Sequence, residues 1–195
     1  LNNFSKWNYE CTNLKQSNPM IDNTYQKNPI DLYYFMNKIG EISHKKNILV
    51  TDAGSNYYIG GQVWKFKKGQ KELTSGSNAA MGLTVPLSIG AAVAKPSYQI
   101  LAVTGDGSLE LNIQELKTIS QYNLNIKLFV INNGGYVSMH NWQDTFFEAF
   151  SIKVLPNTSS KFWDSLTFSK NLLFKQPELF WIISSMKLLF KNFIP

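Results

Sequence analysis

The chain has 195 residues, 44% hydrophobic and 14% aromatic, enough for one well-buried domain and little more. Its formal charge of +6 comes from scattered lysines without a recognised nucleic-acid motif, so neither nucleic acid nor, for want of a long uncharged apolar run, a membrane is an expected partner. One cysteine, Cys11, excludes an internal disulfide and fits a reducing, cytoplasmic setting.

Residues 1–30 are rich in Asn, Lys and Gln, with Trp7, Tyr9, Pro19 and Pro29 as punctuation, and read as a linker or lead-in. Leu1 in place of Met points to a natural beginning elsewhere. From Pro29 the pattern sharpens: Leu32, Phe35, Met36 and Ile39 mark one helical face, Asp31 is a candidate cap, and His44 follows as a surface cation or C-terminal cap. A short strand over 47–51 runs into Asp52-Ala53-Gly54-Ser55-Asn56, a strand-to-helix turn that suits a phosphate and equally an N-cap. Lys65, Lys67, Lys68 and Lys71 then read as a solvated loop. Residues 74–91 are crowded with small side chains, and Gly76, Gly82 and Gly90 predict that something large lies against them.

The most informative stretch is Thr104 to Tyr136. Gln99–Val103 and Ile126–Ile131 are apolar runs rich in β-formers, each followed by a polar, glycine-bearing cluster. Between them Ile113, Leu116, Ile119 and Tyr122 recur at helical spacing, and Asn112 with Glu115 has the form of a capping box. Strand, loop, helix and strand in this order make a right-handed crossover between parallel strands, whose ligands bind beyond the carboxyl ends. Asp106 and Asn133 converge there. A carboxylate, an amide oxygen and a glycine-rich backbone suit a divalent cation holding a diphosphate, while Gly105 and Gly107 allow the tight turn and the Gly107 and Ser108 amides can donate to phosphate. A plain Gly-Asp-Gly turn is the simpler reading of one cluster alone. A hairpin at Asn-Gly is disfavoured because no alternating strand follows Gly135.

Gly105-Asp106-Gly107, twenty-four residues, then Asn132-Asn133 resembles the thiamine diphosphate fingerprint of the acetolactate synthase and pyruvate decarboxylase superfamily. The resemblance implies a three-layer α/β/α domain with a parallel sheet over residues 31–148. It implies that Asp106 and Asn133 ligate Mg²⁺ through side chains and Gly135 through its carbonyl, with Ser108 at the diphosphate. Gly54 and Ser55 take the place of the family's first diphosphate loop; Asn56 stands where many relatives have other side chains. Met81 maps onto the methionine beneath the thiazolium, and the backbone of Ala79 onto the carbonyl that accepts from the pyrimidine amino group. Trp142 has the spacing of the tryptophan in the acetolactate synthase substrate channel, although Val137 and Ser138 replace the usual glycine and methionine.

By this resemblance the cofactors are thiamine diphosphate and Mg²⁺, and the substrate is a 2-oxoacid that is decarboxylated and joined to a second. No catalytic residue is expected in this chain. The activating glutamate belongs to a pyrimidine-binding domain, of a fuller chain or a partner subunit in a homodimer or tetramer, and neither Glu110 nor Glu115 takes that role. The competing reading is a cofactor-binding remnant or interaction module without turnover. A dinucleotide-binding domain would need a third glycine where Glu110 stands. Residues 149–195 contain no glycine and no motif, and read as a tail outside the resemblance, as after a frameshift, or as a divergent helical tail; the domain is then incomplete at its C-terminal end.

Overall fold

In the computed structural model of the chain, residues 4–21, 31–147 and 180–184 are described. Runs of aliphatic residues that bury both faces form the centre of a parallel sheet. Its strands are β1 (Asn47–Val50), β2 (Lys71–Leu73), β3 (Gln99–Gly105), β4 (Ile126–Asn132) and β5 (Phe180–Ser184). They lie in the order β2-β1-β3-β4-β5, all neighbours parallel, so the chain moves one way from β1 to β2 and the other way from β3 onward. The gap between the ends of β1 and β3 is therefore the switch point at which such sheets leave room for a ligand.

Alternation along the strands splits the core into two layers. Ile48, Val50, Ile100, Ala102, Ile126, Leu128 and Val130 face one way and pack on Val85, Ala91 and Ala92 of α4 (Thr84–Ala94), with Leu109 of α5 (Asp106–Glu110) and Leu116 and Ile119 of α6 (Leu116–Gln121). Leu49, Leu101, Val103 and Phe129 face the other way, onto Phe35, Met36 and Ile39 of α2 (Leu32–Ile42) and Val63 at the end of α3 (Ser55–Val63). Phe35 meets Phe129 edge to face, with ring centroids 5.5 Å apart. The result is the three-layer α/β/α arrangement expected.

Asp31 caps α2, its Oδ1 accepting from the Tyr33 and Tyr34 amides at 2.7 and 3.3 Å. The N-terminal α1 (Ser5–Ser17) buries no residue, and neither does α7 (Val137–Phe146), which follows β4. Among the described residues no helix is long and apolar enough to cross a membrane.

Several local expectations are corrected. The helix read through Ile113 to Tyr122 is divided into a 3₁₀ turn over Ile113–Glu115 and α6, with α5 as a separate short helix before it, and Tyr122 is exposed. No capping box closes it: Asn112 Nδ2 donates to the Gly82 carbonyl at 2.8 Å, and Glu115 accepts from Thr118. The Asn112 amide group is turned to a long-range acceptor, and its Oδ1 accepts from the Gln114 side chain at 3.3 Å instead of from a backbone amide. Among the described residues nothing lies within 4 Å of a Cβ built at Gly90, whereas at Gly82 a Cβ would lie 2.9 Å from Leu111 Cβ. His44 Nδ1 accepts from the Lys46 amide at 3.1 Å and caps no helix. Lys67 is tied down, its Nζ donating to the Glu41 and Ser43 carbonyls at 2.6 and 3.1 Å, where a solvated loop was expected. Residues 180–184 add a strand to the sheet in register from Leu128↔Phe180 to Asn132↔Ser184, in a tail where the sequence shows no motif. The remainder of 149–195, and most of the lead-in after Ile21, lies outside the described residues.

Candidate functional site

A cavity of about 540 Å³ opens at the switch point. That is the size of a cofactor pocket. Gly54 and Ser55 after β1, Ala79 and Met81 before α4, Gly105, Asp106, Gly107 and Ser108 after β3, and Asn133 and Gly135 after β4 all line it. Trp142 does not. It is exposed on α7, its ring 4.6 Å from that of Phe146, and lines a second space with Met139, Gln143 and Phe147. Met139 and Gln143 border both spaces, so Trp142 stands one helical step from the main cavity.

Asp106 is 1% exposed. Its Oδ1 accepts from the Gly107 amide at 2.9 Å, and its Oδ2 accepts from the Gly134 and Gly135 amides at 3.1 and 2.9 Å. The two loops predicted to converge are thus joined through this carboxylate. Burial pushes the Asp106 carboxyl above the usual carboxylate range, and the Gly107, Gly135 and Gly134 amides, with its own, pull the other way. Glu110 is raised too, by burial first and then by the Asp106 charge. A carboxylate has about four lone-pair sites, so three amide donors leave Asp106 room for one cation contact. The Gly135 carbonyl accepts from the Val137 amide at 2.9 Å and keeps its second lone pair. Asn133 is exposed on the cavity wall.

Among the described residues no three His, Cys, Asp or Glu side chains gather as a metal cluster. A metal here would need oxygen from elsewhere, and Mg²⁺ held by one or two protein oxygens with phosphate and water has that character. The hard oxygens of Asp106, Asn133 and Gly135 fit such an ion, and the cavity fits the organic part of a diphosphate cofactor. Two glycines keep the cradle open. Gly54 has φ +69, and at Gly107 a Cβ would strike the Tyr136 ring, with Cε1 and then Cδ1 as its nearest atoms.

Met81 is 44% exposed on the wall and so is not a core methionine. Ala79 has φ 44 and ψ 43, a left-handed backbone that costs an L-residue about 1–2 kcal/mol. Ser108 lines the cavity, and its hydroxyl is engaged within the protein. Its Oγ donates to Asp52 Oδ2 at 2.5 Å and accepts from the Gly82 amide at 2.7 Å, leaving its backbone for the cavity. Asn56 is buried, its Nδ2 donating to the Val103 carbonyl at 2.6 Å.

The sequence passed over three residues. Asp52 closes β1, is fully buried and accepts from Ala53 N, Asn56 Nδ2, Thr84 N, Thr104 Oγ1 and Ser108 Oγ. Its position at a strand's carboxyl end was a usable signal. Tyr136 covers Gly107, for which nothing local gives a signal. Gln143 places a buried Oε1 without a hydrogen-bond partner among the described residues, beside the cavity.

Fold and site together define a parallel α/β domain that presents a cofactor-sized cleft, with one acidic oxygen and several glycine turns, at its switch point. Residues 52–166 match the family described as thiamine pyrophosphate enzyme, C-terminal TPP binding domain, and the chain belongs to that family. The match runs past residue 148. Acetolactate synthase 1, chloroplastic, of Nicotiana tabacum is 34% identical over 146 residues, 75% of this chain and 22% of the relative. The acetolactate synthase large subunit of Cyanidium caldarium is 40% identical over 119 residues, 60% and 20% of the two chains. Isozyme 1 large subunit of Escherichia coli K12 is 34% identical over 120 residues, 62% and 21%. The domain is acetolactate synthase-like, and the chain spans about a fifth of the length of the relatives it matches.

Proposed function

We propose that this domain binds thiamine diphosphate through Mg²⁺ and serves an acetolactate synthase-like enzyme that decarboxylates one 2-oxoacid and joins the remainder to a second. The observation that carries this reading is Asp106: a buried carboxylate on the cavity wall, fixed by amides from both loops, with acceptor capacity left over. Asp106, Asn133 and the Gly135 carbonyl hold the cation. Gly54, Ser55, Gly105, Gly107 and the Ser108 backbone enclose the diphosphate, and Met81 and the Ala79 carbonyl border the ring system. When bound, the cofactor supplies the electron sink for decarboxylation. The chain's own part is to bind and orient it and to keep the diphosphate charge matched by metal. Activation of the cofactor and closure over the substrate fall to a pyrimidine-binding domain, and Trp142, exposed on α7 beside the cavity, is the candidate contact for the 2-oxoacid.

Calorimetric titration of the chain with thiamine diphosphate, with and without Mg²⁺, tests the proposal. Binding that requires the metal is expected. Equal binding without Mg²⁺ overturns the metal assignment, and a folded chain that binds nothing favours a remnant whose site does not assemble.

A further inference from the structure

We propose that Asp52 is a positioning residue which, through the Ser108 hydroxyl, holds the turn carrying Met81 at a fixed distance from the loop carrying Asp106. The inference deepens the cofactor reading above and rests on it. Asp52 is fully buried and is itself absent from the cavity wall, where Ala53 begins the lining. Its effect on a ligand therefore passes through other residues.

The Ser108 hydroxyl has one proton. At 2.5 Å from Asp52 Oδ2 that proton is committed to the carboxylate, a length typical of a charge-assisted bond. The oxygen's lone pairs are thereby turned outward, and one accepts from the Gly82 amide at 2.7 Å. Gly82 directly follows Met81, and its carbonyl is gripped from the other side by Asn112 Nδ2 at 2.8 Å. The turn has no slack: Gly82 sits at φ +82, and a Cβ there would lie 2.9 Å from both Leu111 Cβ and Asn112 Nδ2.

Asp52 takes hold of both loops a second time. Thr104, immediately before Gly105, donates to Oδ2 at 3.3 Å, and Thr84, the first residue of α4 after the Met81 turn, donates its amide to the same oxygen at 3.4 Å. The Ser75 hydroxyl, at the start of the small-residue segment, donates to the Asp52 carbonyl at 2.6 Å. One carboxylate thus sets the spacing between the Asp106 end of the cavity and its Met81 end. A ligand long enough to touch both ends depends on that spacing, and one that touches only the Asp106 end does not.

This difference supplies the test. The full chain and the variants Ser108→Ala, Asp52→Asn and the double variant are titrated with thiamine diphosphate and with inorganic pyrophosphate, both with Mg²⁺, and their unliganded thermal midpoints are recorded. Each single variant is expected to bind thiamine diphosphate about tenfold more weakly, the effect of one lost hydrogen bond to a charged group. Inorganic pyrophosphate, which meets the diphosphate loops but not the Met81 turn, should lose less affinity than thiamine diphosphate in every variant. The double variant should be no weaker than Asp52→Asn alone, because both changes cut one relay. Equal losses on the two ligands, unchanged thiamine diphosphate affinity, or losses that multiply in the double variant overturn the relay while leaving the cofactor reading standing. Failure of the unsubstituted chain to bind either ligand overturns both. Ser108→Ala keeps the decision available should Asp52→Asn not fold.

Discussion

Asp52 and Asp106 stand just beyond the carboxyl ends of neighbouring parallel strands, both almost completely buried, and they are used in opposite ways. Asp52 gathers three side chains and two amides and has no place on the cavity wall. Asp106 takes only backbone amides, three of them, and lines the cavity. Side-chain donors can saturate a carboxylate because hydroxyls and amides reach it from any direction. Amides of two tight loops leave one side open. The first carboxylate is architecture and the second is available chemistry, although both lie one or two residues past a strand.

The largest expected effect comes from removing the available charge. Asp106→Asn keeps an oxygen for the Gly134 and Gly135 amides and loses the anion. Mg²⁺-dependent affinity for thiamine diphosphate should fall about 100-fold or more, about 2.8 kcal/mol. The unliganded chain should gain from the same change. Because burial raises the folded-state pKa of Asp106, the native state holds the proton where the unfolded chain has released it. That contribution to stability is complete below the ordinary carboxylate range and is lost as pH rises through the raised value. The unliganded thermal midpoint should therefore fall from acidic to neutral pH, and the slope should be shallower in Asp106→Asn. A variant that retains metal-dependent binding would remove the distinction between the two carboxylates.

A middle-sized effect tests the loop that Asp106 organises. At Gly107 an added Cβ meets the Tyr136 ring, so Gly107→Ala must push the ring or the loop aside. Overpacking of this kind costs about 1–3 kcal/mol. A thermal midpoint lower by about 2–4 °C per kcal/mol is the readout, together with weaker cofactor binding. Combining it with Tyr136→Ala should restore part of the loss. An unchanged midpoint in Gly107→Ala would show that the ring yields freely and that Asp106 does not depend on a closed turn.

What the sequence reveals follows the same division. The Asp106 arm is legible because its parts are local: a glycine-flanked aspartate and an Asn-Asn-Gly-Gly cluster, each directly after an apolar run. Even the convergence of the two loops follows from strand order. The Asp52 arm is not legible, because its partners lie as far away as Ser108, fifty-six positions along, and no periodicity links them. Asn112 shows the cost of reading locally. Its spacing from Glu115 suits a cap, yet in the fold Asn112 turns to the Gly82 carbonyl, a partner thirty residues away. Trp142, which the resemblance assigns to a substrate channel, stands exposed on α7 beside the cavity, a position that no local pattern specifies.

The smallest effect is also the one with a favourable sign. Ala79, four residues along the chain from Ser75 and three before Gly82, is held in the left-handed region although it has a Cβ. If the anchors at both ends impose this conformation, Ala79→Gly should relieve about 1 kcal/mol of backbone strain, less the few tenths lost because glycine frees the unfolded chain. The net gain should raise the midpoint by about 1–2 °C. Gly82→Ala is the opposing control, since it adds a Cβ at φ +82 against Leu111 and Asn112 and should lower the midpoint. Were Ala79→Gly to lower stability as well, the turn would be resting in its preferred state. The Asp52 arm would then be following the Met81 turn instead of holding it.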